Sequence, residues 1–228
     1  MIEIEVFVLF LSLVVFSLIS YWKKALDKRG ILAANIVGLL IFWFGKDAFS
    51  TGLVPFFLIV LFFAIAESCT RYARMLKKTH HEIRSVGNIL GNSGAALIAL
   101  VFVSPIGFFA AIACALADTL SSEVGLLSKV KPRLITTFRH VAPGTDGAIS
   151  SLGTTTAAFG ALLIGAIYFL LFNDLKAFAI ISFAGFFGML ADSVFGATLQ
   201  KIGVLNNSTV NFVACGLAAI AAVLLFGL

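Results

Sequence analysis

The sequence predicts an all-α, polytopic bundle of about eight transmembrane helices, with residues 1–228 forming a single integral membrane domain. Three observations predict it. Of the 228 residues, 61% are hydrophobic and only 12% charged, about half the charge fraction of a soluble domain of this size. Mean hydropathy is +1.09. Several apolar runs approach the ~20 residues that a helix needs to cross a bilayer.

Taken in order, the runs are 2–22, 31–46, 53–69, 88–104, 106–124, 154–173, 177–199 and 209–228. The first carries Glu3 and Glu5 where a cleaved signal would carry basic residues, and its basic cluster comes afterwards, so it reads as a span. The second and third are short, which leaves tilted, half-buried or re-entrant segments open. The first and the sixth to eighth are the clearest. Cys69, Cys114 and Cys215 fall in separate apolar runs without metal or redox spacing, and read as small buried hydrophobes.

Fourteen of the sixteen basic residues lie in alternate connections. The first holds Lys23, Lys24, Lys28 and Arg29; the third Arg71, Arg74, Lys77, Lys78 and Arg84; the fifth Lys129, Lys131, Arg133 and Arg139; the seventh Lys201. Only Lys46 and Lys176 fall in the others. Basic residues flanking spans stay in the cytoplasm, so a multi-pass cell-membrane protein is expected with both termini outside. This distribution also speaks against nucleic acid as the reason for the net charge of +5.

Acids within spans are costly and usually functional. Glu67, Asp118, Glu123 and Asp192 all fall toward the cytoplasmic ends of spans three, five and seven. Arg84, Asn88 and Asn92 recur every fourth residue and share one helix face, as do Asp118 and Ser122. Ser193, Gly196, Ala197 and Gln200 line one side of span seven, with Asp192 beside them. Glu67 and Arg71 are an i,i+4 pair that could simply neutralise each other, Glu123 could be an interfacial acid, and the asparagines could serve as interhelical hydrogen-bonding groups.

The segment from Val141 to Thr156 is rich in Gly, Ser and Thr and runs into span six. Such a loop can turn its backbone N–H groups towards an anion, helped by the helix N-terminus. Neither a G-x-x-x-x-G-K-[ST] loop nor the protein-kinase signature set occurs. Acids, a glycine-rich cradle and bases together are the parts for phosphoryl or nucleotidyl transfer with Mg²⁺, and the membrane setting suggests a lipid substrate.

Three motifs in order then carry a resemblance. Ala117-Asp-Thr-Leu-Ser-Ser-Glu123 resembles an A-D-T-x-x-S-E signature; Pro143-Gly-Thr-Asp-Gly-Ala-Ile-Ser150 resembles P-G-T-[ND]-G-G-[VI]-S, with Ala148 in place of the second glycine; Asp192-Ser-Val-Phe-Gly-Ala-Thr-Leu-Gln200 is similar to D-S-x-x-G-A-x-x-Q. Asn92, Asn206 and Asn211 stand where asparagine is usual, and Glu67-Ser-Cys-Thr-Arg71 is a looser match. The chain resembles the membrane family that includes the plant plastid phytyl-phosphate kinase and archaeal relatives, distantly similar to the phytol and dolichol kinases, which favour CTP. The resemblance implies phosphoryl transfer from a nucleoside triphosphate, CTP by preference, to a prenyl monophosphate such as geranylgeranyl or phytyl phosphate.

On that reading Asp118, Asp192 and Glu123 are catalytic, and Asp118, Asp192 and Glu67 are ligands for Mg²⁺. Gly144, Thr145, Asp146, Gly147, Ser150 and Ser122 bind the nucleotide. Arg84, Asn88, Asn92 and Arg139 orient the acceptor phosphate, and the prenyl tail lies in an apolar groove open to membrane lipid. A nucleotidyltransferase making a CDP-activated lipid and an ion-coupled transporter are the alternatives.

Overall fold

The computed structural model describes residues 2–77 and 83–227, and eight long helices are found among them. In chain order they are α1 (Ile2–Trp22), α2 (Lys28–Phe49), α3 (Leu53–Lys77), α4 (Val86–Val101), α5 (Pro105–Gly125), α6 (Ser151–Phe172), α7 (Leu175–Phe195) and α8 (Asn207–Gly227). Seven are long and apolar enough to cross a membrane. The second and third, short as apolar runs, are complete helices of 22 and 25 residues. The charged ends that shortened the runs, Lys28–Arg29 and Glu67–Lys77, simply continue the helices past the apolar core. The short helix is α4, at 16 residues. Lys78, counted above among the basic residues, lies outside the described residues.

Helix ends follow local chemistry. Asp27, Ser104, Ser150 and Asp174 each accept a hydrogen bond from the backbone N–H three residues on, capping α2, α5, α6 and α7. Ser50 and Asn173, with φ of 61° and 53°, close α2 and α6 in the left-handed region.

The fold is organised around α5. From Ile106 to Ala117 every residue is buried, as expected of a helix apolar on all sides. Small residues let its neighbours approach closely, the usual way helices pack in lipid. A Cβ on Gly185 of α7 would stand 2.5 Å from the Ala113 Cβ, and one on Gly160 of α6 would stand 3.3 Å from the Ala117 backbone. By contrast, α1 is the peripheral helix: Phe7, Phe10, Leu11, Val14, Val15 and Leu18 are all exposed, an apolar surface suited to lipid.

Contacts between connections sort the bundle into two ends. At one, the Arg71 guanidinium donates to the Lys23 carbonyl, while the Arg84 backbone pairs with Ala25 and Asp27 at 3.1 Å each. At the other, Thr51 donates to Glu5 at 3.1 Å and Lys176 to the Phe226 carbonyl at 3.1 Å, so the start of α1 and the end of α8 lie there. Thirteen described basic residues, Lys23, Lys24, Lys28, Arg29, Arg71, Arg74, Lys77, Arg84, Lys129, Lys131, Arg133, Arg139 and Lys201, therefore belong to the first end, where the polar pocket opens.

Candidate functional site

The pocket encloses about 610 Å³, within the ~300–1,000 Å³ usual for small-molecule sites. Its walls come from α3, α4, α5, α7, α8 and the α5–α6 connection. Asp118, which directly follows the buried stretch of α5, and Asp192, near the end of α7, come together in its lining. Both are half-buried. Two carboxylates so close repel, and Glu123 and Asp146 add negative charge on either side.

Beyond Asp192 the helix widens into a π-helical turn, Gly196–Gln200, a distortion common at functional sites. It leaves room for the α5–α6 connection. That connection forms a small antiparallel ladder, β1 (Arg133–Leu134) with β2 (Ala148–Ile149), and two tight turns follow one another before β2. Thr145 N–H donates to the Ala142 carbonyl at 3.2 Å across Pro143-Gly144, and Ala148 N–H to the Thr145 carbonyl at 3.0 Å across Asp146-Gly147. Gly144 and Gly147 have φ of +85° and +71°, a region that favours glycine. Gly147 has a second constraint, because a Cβ there would overlap the Ser193 carbonyl and come within 2.5 Å of Ala197. The loop backbone thus lies directly on the end of α7, next to Asp192. Ala148, which replaces the second glycine of the motif, sits in the extended ladder opposite Leu134, where a methyl group is accommodated.

Ser150 Oγ accepts from the Gly153 N–H at 3.1 Å and caps α6, so the helix N-terminus faces the pocket with Ser150 in its lining. Thr145, Asp146 and Ser122 line it as well. A Cβ on Gly125 would meet Ser150 Oγ at 3.3 Å, which shows how closely the end of α5 fits the start of α6.

The opposite wall carries the positive charge. Arg84 is nearly buried, 13% exposed. Its guanidinium stands 3.5 Å from Glu67 and donates to Thr70 at 3.0 Å. Burial pulls its pKa down from the usual value, and Glu67 and Glu123 oppose that shift. Arg74 pairs with Glu123 at 3.2 Å. Asn88 accepts from the Ser85 N–H at 2.9 Å, and Asn92 donates to the Asn88 carbonyl at 3.0 Å. The Asn211 amide lies between Asn92 Oδ1, to which its nitrogen donates at 3.2 Å, and a second pair of acceptors, Asp192 Oδ2 at 3.1 Å and the Asn207 carbonyl at 2.9 Å, which the same nitrogen reaches when the amide is turned over. A polar chain therefore runs from Asn88 through Asn92 and Asn211 to the two aspartates.

The structure brings together Asp118, Ser122, Glu123, Asp192, Asn88, Asn92, Arg84 and the Gly144–Ser150 loop. Two expected members are placed elsewhere. Glu67 does not line the pocket: held by Arg71 at 2.6 Å and by Arg84, it fixes Arg84 instead of joining the aspartates. Arg139 is exposed and outside the lining, because the turn closed by Leu134 N–H on the Arg139 carbonyl at 2.9 Å holds it on the outer side of the connection. Arg74, Thr70 and Asn207 are members that sequence reasoning did not single out. Arg74 lay one turn beyond Arg71 in the looser motif, and its pairing with Glu123 across 49 residues left no local signal.

Among the described residues no three His, Cys, Asp or Glu side chains converge. A carboxylate pair does suit Mg²⁺, which takes one or two carboxylates and completes its shell with water and substrate phosphate.

The fold and pocket define a polytopic membrane protein with an acid pair facing a glycine-rich turn at one end of its bundle. The chain belongs to the family described as "Integral membrane protein DUF92", whose model matches residues 11–219. It is 36% identical over 235 residues to the uncharacterized membrane protein MJ0933 of Methanocaldococcus jannaschii, covering 98% of this chain and 95% of that one. It is 30% identical to Protein PGR of Arabidopsis thaliana, covering 86% and 81%. It is also 27% identical to Protein VTE6, chloroplastic, of the same plant, over 88% of this chain and 65% of that one. No solved structure matches.

Proposed function

We propose that the protein is a prenyl-phosphate kinase, passing the γ-phosphoryl group of a nucleoside triphosphate, CTP by preference, to a prenyl monophosphate such as geranylgeranyl or phytyl phosphate. The observation that carries this reading is the meeting of Asp118 and Asp192, from separate helices, beside the Gly144–Ser150 turns and opposite Arg84. The plastid relative and the motif resemblance support the same chemistry.

The acceptor needs no general base, since the second pKa of a phosphate monoester is about 6. An acceptor oxygen forms a bond to the γ-phosphorus while the bond to the β,γ-bridging oxygen breaks, and the nucleoside diphosphate leaves with that electron pair. The obstacle is repulsion between two polyanions, so catalysis consists of neutralisation and in-line placement. Asp118 and Asp192 would hold Mg²⁺, which supplies charge neutralisation for the donor phosphates. Gly144, Thr145, Asp146, Gly147 and Ser150, with Ser122, cradle the triphosphate at the N-terminus of α6. Arg84, Asn88 and Asn92 orient the acceptor phosphate. Arg74, restrained by Glu123, stands within reach of charge shared between the two substrates. With its basic connections inside, the pocket faces the cytoplasm across the cell membrane and both termini face outward.

The test incubates purified protein in detergent with geranylgeranyl phosphate, Mg²⁺ and each of the four nucleoside triphosphates, followed by mass spectrometry. The reading requires geranylgeranyl diphosphate and a nucleoside diphosphate. A CDP-linked lipid with pyrophosphate released would replace it by nucleotidyl transfer, and absence of any nucleotide turnover would reject both.

A further inference from the structure

A second cavity lies among α1, α2, α3 and α4, lined by Leu13, Phe16, Gly38, Phe56, Val60 and Phe63. It is almost wholly apolar, yet it includes Arg84, Asn88 and Asn92, the same three residues that form one wall of the polar pocket. The two cavities therefore share a boundary made of a buried guanidinium and two amides. Arg84 shows both faces: its guanidinium lies 6.0 Å from the Phe63 ring centre on the apolar side and hydrogen-bonds Thr70 on the other.

We propose that this groove is the tail site of the lipid acceptor, with the acceptor's phosphate held at Arg84, Asn88 and Asn92 and its hydrocarbon chain running down between α1 and α3. The assignment rests on the phosphoryl-transfer reading for the chemistry that follows, and on the groove itself for the occupant. An amphiphile with one anionic end and a linear apolar body matches a groove with one cationic, amide-lined end and an apolar remainder. The space open in the structure is about 50 Å³, which excludes a fused-ring lipid and is less than a whole prenyl chain fills, so only part of the chain is held there.

From Phe63 to Phe56 is seven residues of helix, about 10 Å, so the groove grips the first part of a prenyl chain and releases the rest into the bilayer. α1 and α3 meet along one side of the groove. The Phe16 and Phe63 rings touch edge to face at 5.1 Å and are only half-buried, as are Ile59 and Val60. A chain already dissolved in the membrane can slide in there without its tail crossing water. The absence of a side chain at Gly38 keeps the groove open, since a Cβ there would already stand 3.2 Å from the Phe56 ring and 3.3 Å from Leu13.

The experiment uses the whole protein in nanodiscs with a geranylgeranyl phosphate analogue carrying a diazirine near the tail, photolysed and mapped by peptide mass spectrometry. Label on α1 and α3 around Leu13, Phe56 and Val60, displaced by geranylgeranyl phosphate but not by geranylgeraniol or inorganic phosphate, is expected. Label scattered over the lipid-facing surfaces of α6–α8, or insensitive to the phosphate-bearing competitor, overturns the proposal. A Gly38→Leu variant should lose the groove label and lower kcat/KM for geranylgeranyl phosphate at least about tenfold, with dimethylallyl phosphate much less affected. Equal loss with both acceptors overturns the tail assignment. If Gly38→Leu does not fold, Val60→Trp carries the same comparison. Groove labelling without diphosphate formation from any nucleotide would reject the kinase reading and leave the tail site standing; diphosphate formation with label elsewhere would do the reverse.

Discussion

Replacing Gly147 by alanine probes the loop that lies on α7. In the structure the new Cβ would stand 2.5 Å from Ala197, whereas ordinary contact begins at 3.4 Å, so the turn must retreat by about 1 Å to reach a normal carbon separation. The retreat moves the Asp146-Gly147 backbone away from Asp192. A displacement of about 1 Å in a positioned phosphate cradle is enough to cost about a hundredfold in rate. Gly144→Ala is the matched control. Its φ is also positive, but nothing lies within 4 Å of the added carbon, so it bears only the left-handed backbone cost of about 1–2 kcal/mol. The assay is turnover of geranylgeranyl phosphate with CTP, alongside thermal unfolding in detergent. The expected result is a loss near a hundredfold for Gly147→Ala, and less than about tenfold for Gly144→Ala, with similar melting temperatures. Wild-type turnover by Gly147→Ala, or equal losses for the two variants, would refute the idea that contact with α7 sets the cradle.

Three further outcomes are expected. Arg84→Lys removes the planar fork that meets Glu67 and Thr70 and should raise the acceptor KM about tenfold with little change in that for nucleotide, because a point charge does not replace a bidentate group; Glu67→Gln should move the same constant, since Glu67 positions Arg84. Ser150→Ala removes the α6 cap and should cost about 1 kcal/mol of stability, read as a lower detergent melting temperature, together with a higher nucleotide KM. In intact cells a membrane-impermeant maleimide should label Asp47→Cys and leave Lys129→Cys unlabelled, because the two exposed positions lie at opposite ends of the bundle.

The number of helices and the ordering of their ends were legible because both depend on properties that read residue by residue, apolar length and the placement of Lys and Arg. Helix boundaries were less so. Lys28–Arg29 and the Glu67–Lys77 stretch interrupt the apolar runs without ending α2 or α3, as hydropathy registers lipid contact and not backbone hydrogen bonding. In the site, Asp118, Asp192 and the Gly144–Ser150 loop were legible from burial cost and motif. Residues whose role depends on a distant partner were not. Glu67 has Arg71 one turn away, but its link to Arg84 is tertiary; Arg74 finds Glu123 on another helix; Arg139 looks like a phosphate ligand in sequence and is turned outward by a local turn. The groove at Gly38 had no signal, because a glycine in an apolar helix reads first as close packing.

In the proposed mechanism Asp118 and Asp192 together hold a divalent cation on the donor triphosphate. Mn²⁺ in place of Mg²⁺ makes this measurable by electron paramagnetic resonance on the purified protein with CTP. The expected result is a protein-bound Mn²⁺ signal that requires both the nucleotide and the two acids, and that disappears in Asp118→Asn and in Asp192→Asn while the detergent-solubilised protein stays monodisperse. Undiminished Mn²⁺–CTP binding by either folded variant would contradict it.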